Sequence, residues 1–184
     1  MAKQFADLDA VRSAFIARQK IFFTASAAGD SHVNVSPRST EHLHLLGANE
    51  VAYLDLTGSG SETAAHVKAG GRLTIMVCAV EGPPLILRLY GRGRIAFRCE
   101  PGYDAFLARF YPAGEPLGAR QIVFLDIALV QTSCGYAVPL FEHVGERDVL
   151  ERWAEAKGEE GLVTYREATN LESIDGLPTG MPVA

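Results

Sequence analysis

Alternation of apolar and polar residues with a period of two recurs along this chain and predicts a mainly β protein. The clearest case is residues 85–98, where leucine, glycine, isoleucine and phenylalanine fill the odd positions and four arginines stand among the even ones. Gly91 and Gly93 within it predict a bend or bulge of the kind that turns the corner of a barrel. The other predicted strands are residues 21–26, 32–36, 43–46, 50–56, 72–80 and 121–130.

Apolar residues spaced three or four positions apart predict helices near both ends of the chain. Leu8, Val11 and Phe15 mark the first of these. The helices do not alternate regularly with the strands, so the order of elements favours a mainly β (α+β) antiparallel barrel with flanking helices over a parallel α/β sheet. The predicted helices are residues 8–20, 59–69, 101–110 and a last one that begins near residue 149.

Composition and charge narrow the possible functions. Of the 184 residues, 48% are apolar, which is enough for one domain with its own core. The net charge of −5 argues against a nucleic-acid partner, and no apolar run approaches the ~20 residues of a membrane span. The first residues lack the apolar core of a signal peptide. We therefore expect a cytoplasmic protein with neither a membrane nor a nucleic-acid partner.

The cysteines and histidines predict no metal site. Cys78, Cys99 and Cys134 show no metal-ligand spacing, and each is interpreted as a structural or incidental thiol. His42 and His44 share a face of a predicted strand, but the sequence offers them no third ligand.

A hydroxyl-rich segment joins a predicted strand to a predicted helix. Amides at a helix N-terminus attract anions, and neighbouring hydroxyls extend such a site. The alternative is that Ser59 and Glu62 form a capping box and satisfy the amides of their own helix. The residues alone leave both interpretations open. The hydroxyls belong to Thr57, Ser59, Ser61 and Thr63.

The arginine face of residues 85–98 also has more than one interpretation. It suits a solvated surface, an interface between two subunits, or a surface for an anionic ligand. The acidic net charge of the chain weighs against nucleic acid as that ligand.

Three segments in this order, HVNVSPRS, YLDLTGSGSET and LRLYGRGR, resemble the pyridoxamine 5′-phosphate oxidase-like family of FMN-binding split barrels. The resemblance covers roughly residues 8–139 and implies a six-stranded antiparallel split β-barrel with flanking helices. It also implies a homodimer that binds FMN at the subunit interface. Residues 1–145 would form the FMN-binding split-barrel domain, and residues 146–184 would form a C-terminal helix and extended tail packed on the same domain.

The same resemblance implies which residues hold the cofactor. Asn34, Val35 and Ser36 would approach the flavin through backbone groups, and Arg38 would meet its phosphate. Arg88 would reach the flavin bound by the other subunit. The strand-to-helix segment would add ring and phosphate contacts through Asp55, Leu56, Thr57, Ser61, Glu62 and Thr63.

Two departures from the family bear on the reaction. The oxidases of the family carry a Ser-Arg-Lys cluster where this chain has Gly-Ser-Gly-Ser-Glu-Thr, and their C-terminal Arg-Leu-His segment has no counterpart here. We therefore expect an oxidoreductase that passes electrons from NAD(P)H through FMN to an unidentified small-molecule acceptor, and not a true pyridoxamine phosphate oxidase. The alternative is a non-catalytic protein that binds or senses flavin, deazaflavin or haem. No catalytic residue is predicted, because the flavin carries the redox chemistry.

Overall fold

One antiparallel sheet of eight strands, flanked by four helices, makes up the computed structural model, which describes residues 2–183. A short 3₁₀ turn, Thr40–His42, joins two of the strands. The strands are β1 (Lys3–Phe5), β2 (Ile21–Ala27), β3 (Asn34–Ser39), β4 (Leu43–Gly47), β5 (Glu50–Leu56), β6 (Arg72–Cys78), β7 (Ile86–Phe97) and β8 (Ala119–Ser133). The helices are α1 (Ala10–Arg18), α2 (Glu62–Lys68), α3 (Pro101–Phe110) and α4 (Val149–Thr169), the last kinked at Gly158.

The sheet confirms the mainly antiparallel prediction, but its strand count exceeds the six that the family resemblance implies. The strands run in the order β3-β2-β6-β7-β8-β5-β4, and β1 pairs with the far end of β8. The short strands β4 and β1 extend the sheet at β5 and at β8. Three residues are too few to show alternation, so the sequence does not predict β1.

The two ends of the sheet come together. In a flat sheet β3 and β5 would lie five strand spacings, or about 24 Å, apart. Here the Arg38 guanidinium of β3 lies 2.5 Å from the Asp55 carboxylate of β5, and the rings of Phe22 and Tyr53 meet edge to face. The sheet therefore curls into a split barrel, and the split lies between β3 and β5.

The barrel interior is filled by one face of each long strand. On β7 the odd positions Leu87 and Leu89 are fully buried, whereas Arg92 and Arg94 on the even face are exposed, as the alternation predicts. The first helix closes the core with Phe15 and Ile16. A second apolar cluster lies outside the barrel, where α3 packs on β5, β7 and β8; its largest members are Tyr103, Phe106, Ile122 and Phe124.

The bulge predicted within β7 is confirmed. The β7–β8 register shifts between Tyr90 and Gly91. A Cβ atom at Gly91 would lie 1.9 Å from the carbonyl oxygen of Asp126, so the backbones of the two strands approach too closely for any side chain.

The arginines of the even face are engaged within the chain. Arg94 and Arg98 pair with carboxylates, whereas Arg88 and Arg92 contact only neutral groups, so the interpretations of this face stay open. Arg88 contacts Ser133, Arg92 the carbonyl of Gly70, Arg94 the carboxylates of Glu50 and Asp126, and Arg98 those of Glu115 and Glu159.

His42 and His44 converge on the hydroxyl group of Tyr111. His42 Nδ1 lies 2.9 Å and His44 Nε2 lies 3.2 Å from the Tyr111 oxygen, and His44 stacks on Phe110 with ring centroids 4.3 Å apart. Burial, together with the neighbouring His42, lowers the pKa of His44 to about 4. Both histidines thus tie β4 and the 3₁₀ turn to the end of α3. Among residues 2–183, no three His, Cys, Asp or Glu side chains group as a metal site, and no helix is long and apolar enough to span a membrane.

Gly91→Ala is expected to destabilise the fold by about 3 kcal/mol or more, because the added methyl group would force β7 and β8 apart. Urea unfolding followed by circular dichroism measures the loss. Gly102→Ala is the matched control, since its Cβ would make only an ordinary 3.6 Å contact with Ala96. Equal stability of the two variants would contradict the close approach at Gly91.

The free energy of unfolding is expected to fall as the pH drops from 6.5 to about 4. In this window an unfolded chain protonates His44 while the folded chain resists protonation, so acid favours unfolding. His44→Gln removes its part of this fall and leaves the part that comes from His42, whose pKa is also lowered by burial. Parallel pH profiles for wild type and His44→Gln would show that His44 titrates normally.

Candidate functional site

A polar cavity of about 190 Å³ lies along the split of the barrel. Its walls come from β3, from the end of β5 and the segment that leads into α2, and from the start of β8. Leu150 of α4 closes one side. The polar side chains in the lining are Asn34, Ser36, Arg38, Asp55, Ser61, Glu62, Thr63, Arg120 and Gln121.

Asp55 is the centre of the polar cavity. Its carboxylate accepts hydrogen bonds from Arg38 Nη1 at 2.5 Å, from Arg120 Nε at 3.0 Å and from Gln121 Nε2 at 2.7 Å. Gln121 lies directly opposite Asp55 in the β5–β8 ladder, which places its amide group beside the carboxylate. Asp55 is 1% exposed, so it joins three strands inside the protein.

The ionised forms of Asp55, Arg38 and Arg120 stabilise one another. Burial alone would raise the pKa of Asp55, but Arg120 and Arg38 outweigh it and hold that pKa below its ordinary value. Burial alone would likewise lower the pKa of Arg38, and the attraction of Asp55 raises it above its ordinary value. One buried carboxylate thus stands between two cations, which leaves net positive charge at the centre.

The two arginines differ in what they leave free. Arg120 donates its hydrogen bonds to other groups of the chain. Besides Asp55, it binds the carbonyl groups of Gly58 and Gly60 and the side chain of Asn170. It therefore shapes the loop before α2. Arg38 also binds Asp55, but its Nε is buried without a hydrogen-bond partner.

Gln121, another lining residue of the cavity, also has a buried polar atom without a partner. Gln121 gives its amide group to Asp55, and its Oε1 is buried without a hydrogen-bond partner among the described residues. Buried polar groups are rarely left unsatisfied without a reason. Among residues 2–183, Arg38 and Gln121 are therefore the residues of the cavity lining that keep a buried polar atom without a partner.

Hydroxyl and amide groups line the other end of the cavity. Asn34 Nδ2 donates to Thr63 Oγ1 at 3.1 Å, and Ser36 Oγ donates to Asn34 Oδ1 at 3.2 Å. The capping-box alternative is wrong, because α2 begins at Glu62 with Ser61 as its N-cap and no side chain caps it. Ser61 instead donates to the carbonyl group of Glu172.

Three residues of the predicted site do not line the cavity. Val35 is 59% exposed on the opposite face of β3. Thr57 is buried and bonded to the carbonyl group of Gly118. Arg88 lies on the even face of β7. These three assignments stay predictions, whereas Asn34, Ser36, Arg38, Asp55, Leu56, Ser61, Glu62 and Thr63 share the cavity.

Sequence reasoning missed Arg120 and Gln121, which hold Asp55 from β8. Both stand at the start of a predicted strand, where no motif or alternation distinguishes them. Only the pairing of Asp55 with Gln121 across β5 and β8 brings them to the site. A polar pair at the start of an otherwise apolar strand was the one available signal.

A larger, mainly apolar groove of about 680 Å³ adjoins the cavity and shares Pro37 and Arg38 with it. Cys78 lies in its lining, and burial raises the pKa of that thiol. Cys134 is exposed and lines neither space. The other apolar side chains of the groove are Ile21, Phe23, Val80, Val138 and Phe141.

Comparison with known proteins identifies the fold. The family model described as pyridoxamine 5′-phosphate oxidase matches residues 8–134. The chain belongs to this family. A curated relative, the pyridoxamine 5′-phosphate oxidase family protein ustO of Aspergillus flavus, is 36% identical over 177 residues, which cover 88% of this chain and 71% of ustO.

Two solved structures agree with this chain in fold. A candidate pyridoxamine 5′-phosphate oxidase from Lactobacillus delbrueckii aligns with a TM-score of 0.53 at 15% identity, covering 68% of this chain and 94% of that one. A variant of HupZ from Group A Streptococcus aligns with a TM-score of 0.56 at 15% identity, covering 68% and 98%. At such identities the likeness concerns the split barrel alone. The family model ends before α4 begins. Asn170, at the C-terminal end of α4, therefore contributes to the site from outside the matched region.

Asp55→Asn is expected to lower the free energy of unfolding by about 3 kcal/mol or more, because two buried guanidinium groups then share no carboxylate. Urea unfolding measures it. Asp126→Asn is the control, since that exposed carboxylate pairs with Arg94 at 3.5 Å and its loss should cost under about 1 kcal/mol. If both variants lose an equally small part of the free energy of unfolding, Asp55 does not hold the split together.

Proposed function

We propose that this chain is an FMN-binding flavoprotein that acts as a homodimer and passes electrons from NAD(P)H through FMN to a small acceptor. The observation that carries the proposal is the polar cavity, where the Arg38 cation lies among hydroxyl and amide side chains at the split of the barrel. It occurs in a chain whose family is the pyridoxamine 5′-phosphate oxidase family.

The residues present fit FMN. The polar cavity offers a cation, Arg38, and the side chains of Asn34, Ser36, Ser61 and Thr63, which suit a phosphate group and a hydroxylated chain. The adjoining groove is apolar and shares Arg38 with the cavity, which suits a flat ring system. When bound, FMN would supply the electron-transfer chemistry.

The residues of the chain have supporting roles in this scheme. Asp55 fixes the Arg38 guanidinium group in the lining of the cavity. Arg120 holds the loop carbonyl groups of Gly58 and Gly60 and keeps the cavity open beside α2. A site held by buried ion pairs is preorganised, and binding then costs little reordering.

The substrate of this protein differs from pyridoxamine phosphate in our proposal. Glu62 stands where the oxidases of the family place a cation, so the charge of the FMN phosphate is balanced by Arg38 and not by a Ser-Arg-Lys cluster. The acceptor is an unidentified small molecule. The competing function is storage or sensing of a flavin, deazaflavin or haem without turnover.

An uncovered surface supports the homodimer. On the outer face of β2, β6 and the first half of β7, Phe23, Met76 and Tyr90 are half-buried and belong to neither apolar cluster of the described residues. Beside it runs the segment 139–144, every residue of which is exposed, including Leu140, Phe141 and Val144. Apolar surface of this extent is typical of an interface, and a second copy of the chain is its proposed occupant.

The C-terminal region belongs to the same domain in this proposal. Asn170 binds Arg120, the carbonyl group of Glu172 accepts from Ser61, and Arg166 donates to Thr57. These contacts join the end of α4 and the tail to the chain's own cavity, which supports residues 146–184 as a packed extension of residues 1–145.

Arg38→Ala is expected to weaken FMN binding by roughly ten- to hundredfold, the loss that follows from removing about 1.5–3 kcal/mol of charged hydrogen bonding. Titration of apo-protein, followed by quenching of flavin fluorescence, measures it. Arg92→Ala is the matched control, because that guanidinium binds the Gly70 carbonyl group outside the cavity. Riboflavin, which lacks the phosphate, should bind wild type and Arg38→Ala alike.

An unchanged FMN affinity in Arg38→Ala would remove Arg38 from the phosphate site. Anaerobic mixing of the loaded protein with NADH or NADPH then separates the two functions. Rapid bleaching of the flavin, followed by turnover with a quinone, supports the oxidoreductase, and a flavin that stays oxidised favours storage or sensing.

A further inference from the structure

A third space, here called the Trp153 groove, opens beside the polar cavity. It has a volume of about 450 Å³ and lies between the start of α4 and the loop before α2. Trp153 and Tyr165 form an aromatic wall, their rings edge to face with centroids 5.0 Å apart. The remaining lining residues are Gly58, Ser59, Arg147, Val149 and Leu150.

The Trp153 groove is continuous with the candidate flavin site. It shares Gly58 and Leu150 with the polar cavity. It also shares Arg147 with the larger apolar groove next to Arg38. A molecule in the Trp153 groove would therefore have a short path to either part of the site.

The groove is apolar with one cation at its edge. Val149 is 58% and Leu150 41% exposed, so both present apolar surface to the groove. The acidic neighbours of Arg147 are engaged elsewhere, Glu146 with His143 and Asp148 with Arg152. Among residues 2–183, the guanidinium group of Arg147 has no ion-pair or hydrogen-bond partner.

The charge near the aromatic wall is also positive. The Lys157 ammonium group lies 5.2 Å from the Trp153 ring centroid and 5.1 Å from that of Tyr165. It polarises both rings and adds to the field of Arg147. An aromatic wall with an unpaired arginine recognises a flat ring that carries an anionic group, because the ring packs on the wall while the anion meets the guanidinium.

We propose that the Trp153 groove binds a planar aromatic molecule bearing an anionic group and is the subsite for a reactant of the flavin. The assignment of the reactant rests on the proposed function, whereas the binding site itself rests on the groove alone. Two sources share this chemistry, the adenosine phosphate part of a dinucleotide electron donor and a small aryl acid that accepts electrons. Because the groove is built largely by α4, beyond residues 8–134 of the family match, it would set the specificity of this particular chain.

Trp153 is the single tryptophan of the sequence, so its fluorescence reports on this groove directly. The probes are 2′,5′-ADP and benzoate, with inorganic phosphate as an anion without a ring and benzyl alcohol as a ring without an anion. We expect a saturable change in Trp153 emission with 2′,5′-ADP or benzoate and none with phosphate or benzyl alcohol. A response to 2′,5′-ADP alone assigns the dinucleotide, and one to benzoate alone assigns the aryl acid.

Variants test the cation separately from the fold. Arg147→Ala should weaken the responding probe by at least about fivefold, the loss of roughly 1 kcal/mol of ion pairing near the surface. Arg152→Ala, a nearby exposed arginine paired with Asp148, should bind the probe as wild type does. Equal binding by Arg147→Ala and wild type would overturn the proposed anion contact.

The titration is run on both apo-protein and FMN-loaded protein. Failure to take up FMN is seen as missing flavin absorbance and contradicts the proposed function. Trp153 emission that does not change with either acid in FMN-loaded protein overturns the proposed binding site in the groove. Sedimentation at several protein concentrations accompanies it. An emission change that follows dimerisation, with no response to either acid, would assign the groove to a second copy of the chain and also overturn the proposal.

Discussion

The buried ion pair between Arg38 and Asp55 is the contact on which the rest of this structure depends. It joins the two sheet ends that a flat arrangement would hold about 24 Å apart, and so it closes the split of the barrel. The same pair aims the Arg38 side chain into the polar cavity. One carboxylate therefore serves the fold and the site together, and Arg120 and Gln121 of β8 complete its surroundings.

Such an arrangement has an energetic cost as well as a use. Burying ionised groups is expensive, and hydrophobic replacements of buried ion pairs are often at least as stable. The geometry explains why polar groups are found here nonetheless: the pair holds the Arg38 guanidinium group in the lining of the polar cavity. An apolar split would close the barrel equally well but would leave no cation for a phosphate group.

Local pattern was enough to predict much of the fold. Glu50–Leu56 and Pro101–Phe110 match their predicted bounds, since alternation and helical spacing are local signals. Within the candidate site, the family resemblance implied that Arg38 and Asp55 belong to the site. It did not predict that the two residues form an ion pair. That contact, and the approach of Arg120 and Gln121, depend on the strand register and on the curl of the sheet, which no single segment encodes. The Trp153 groove was the part of the structure that the sequence predicted least. Trp153 and Tyr165 are separated in the sequence and contact each other only in the folded chain.

The most direct test of the flavin site is the visible absorption spectrum of the freshly purified protein, with chromatography of the chromophore that heating releases. The account predicts the two visible bands of an oxidised flavin and a released compound that co-elutes with FMN. A haem or deazaflavin spectrum would contradict it, and so would a colourless protein that fails to take up added FMN.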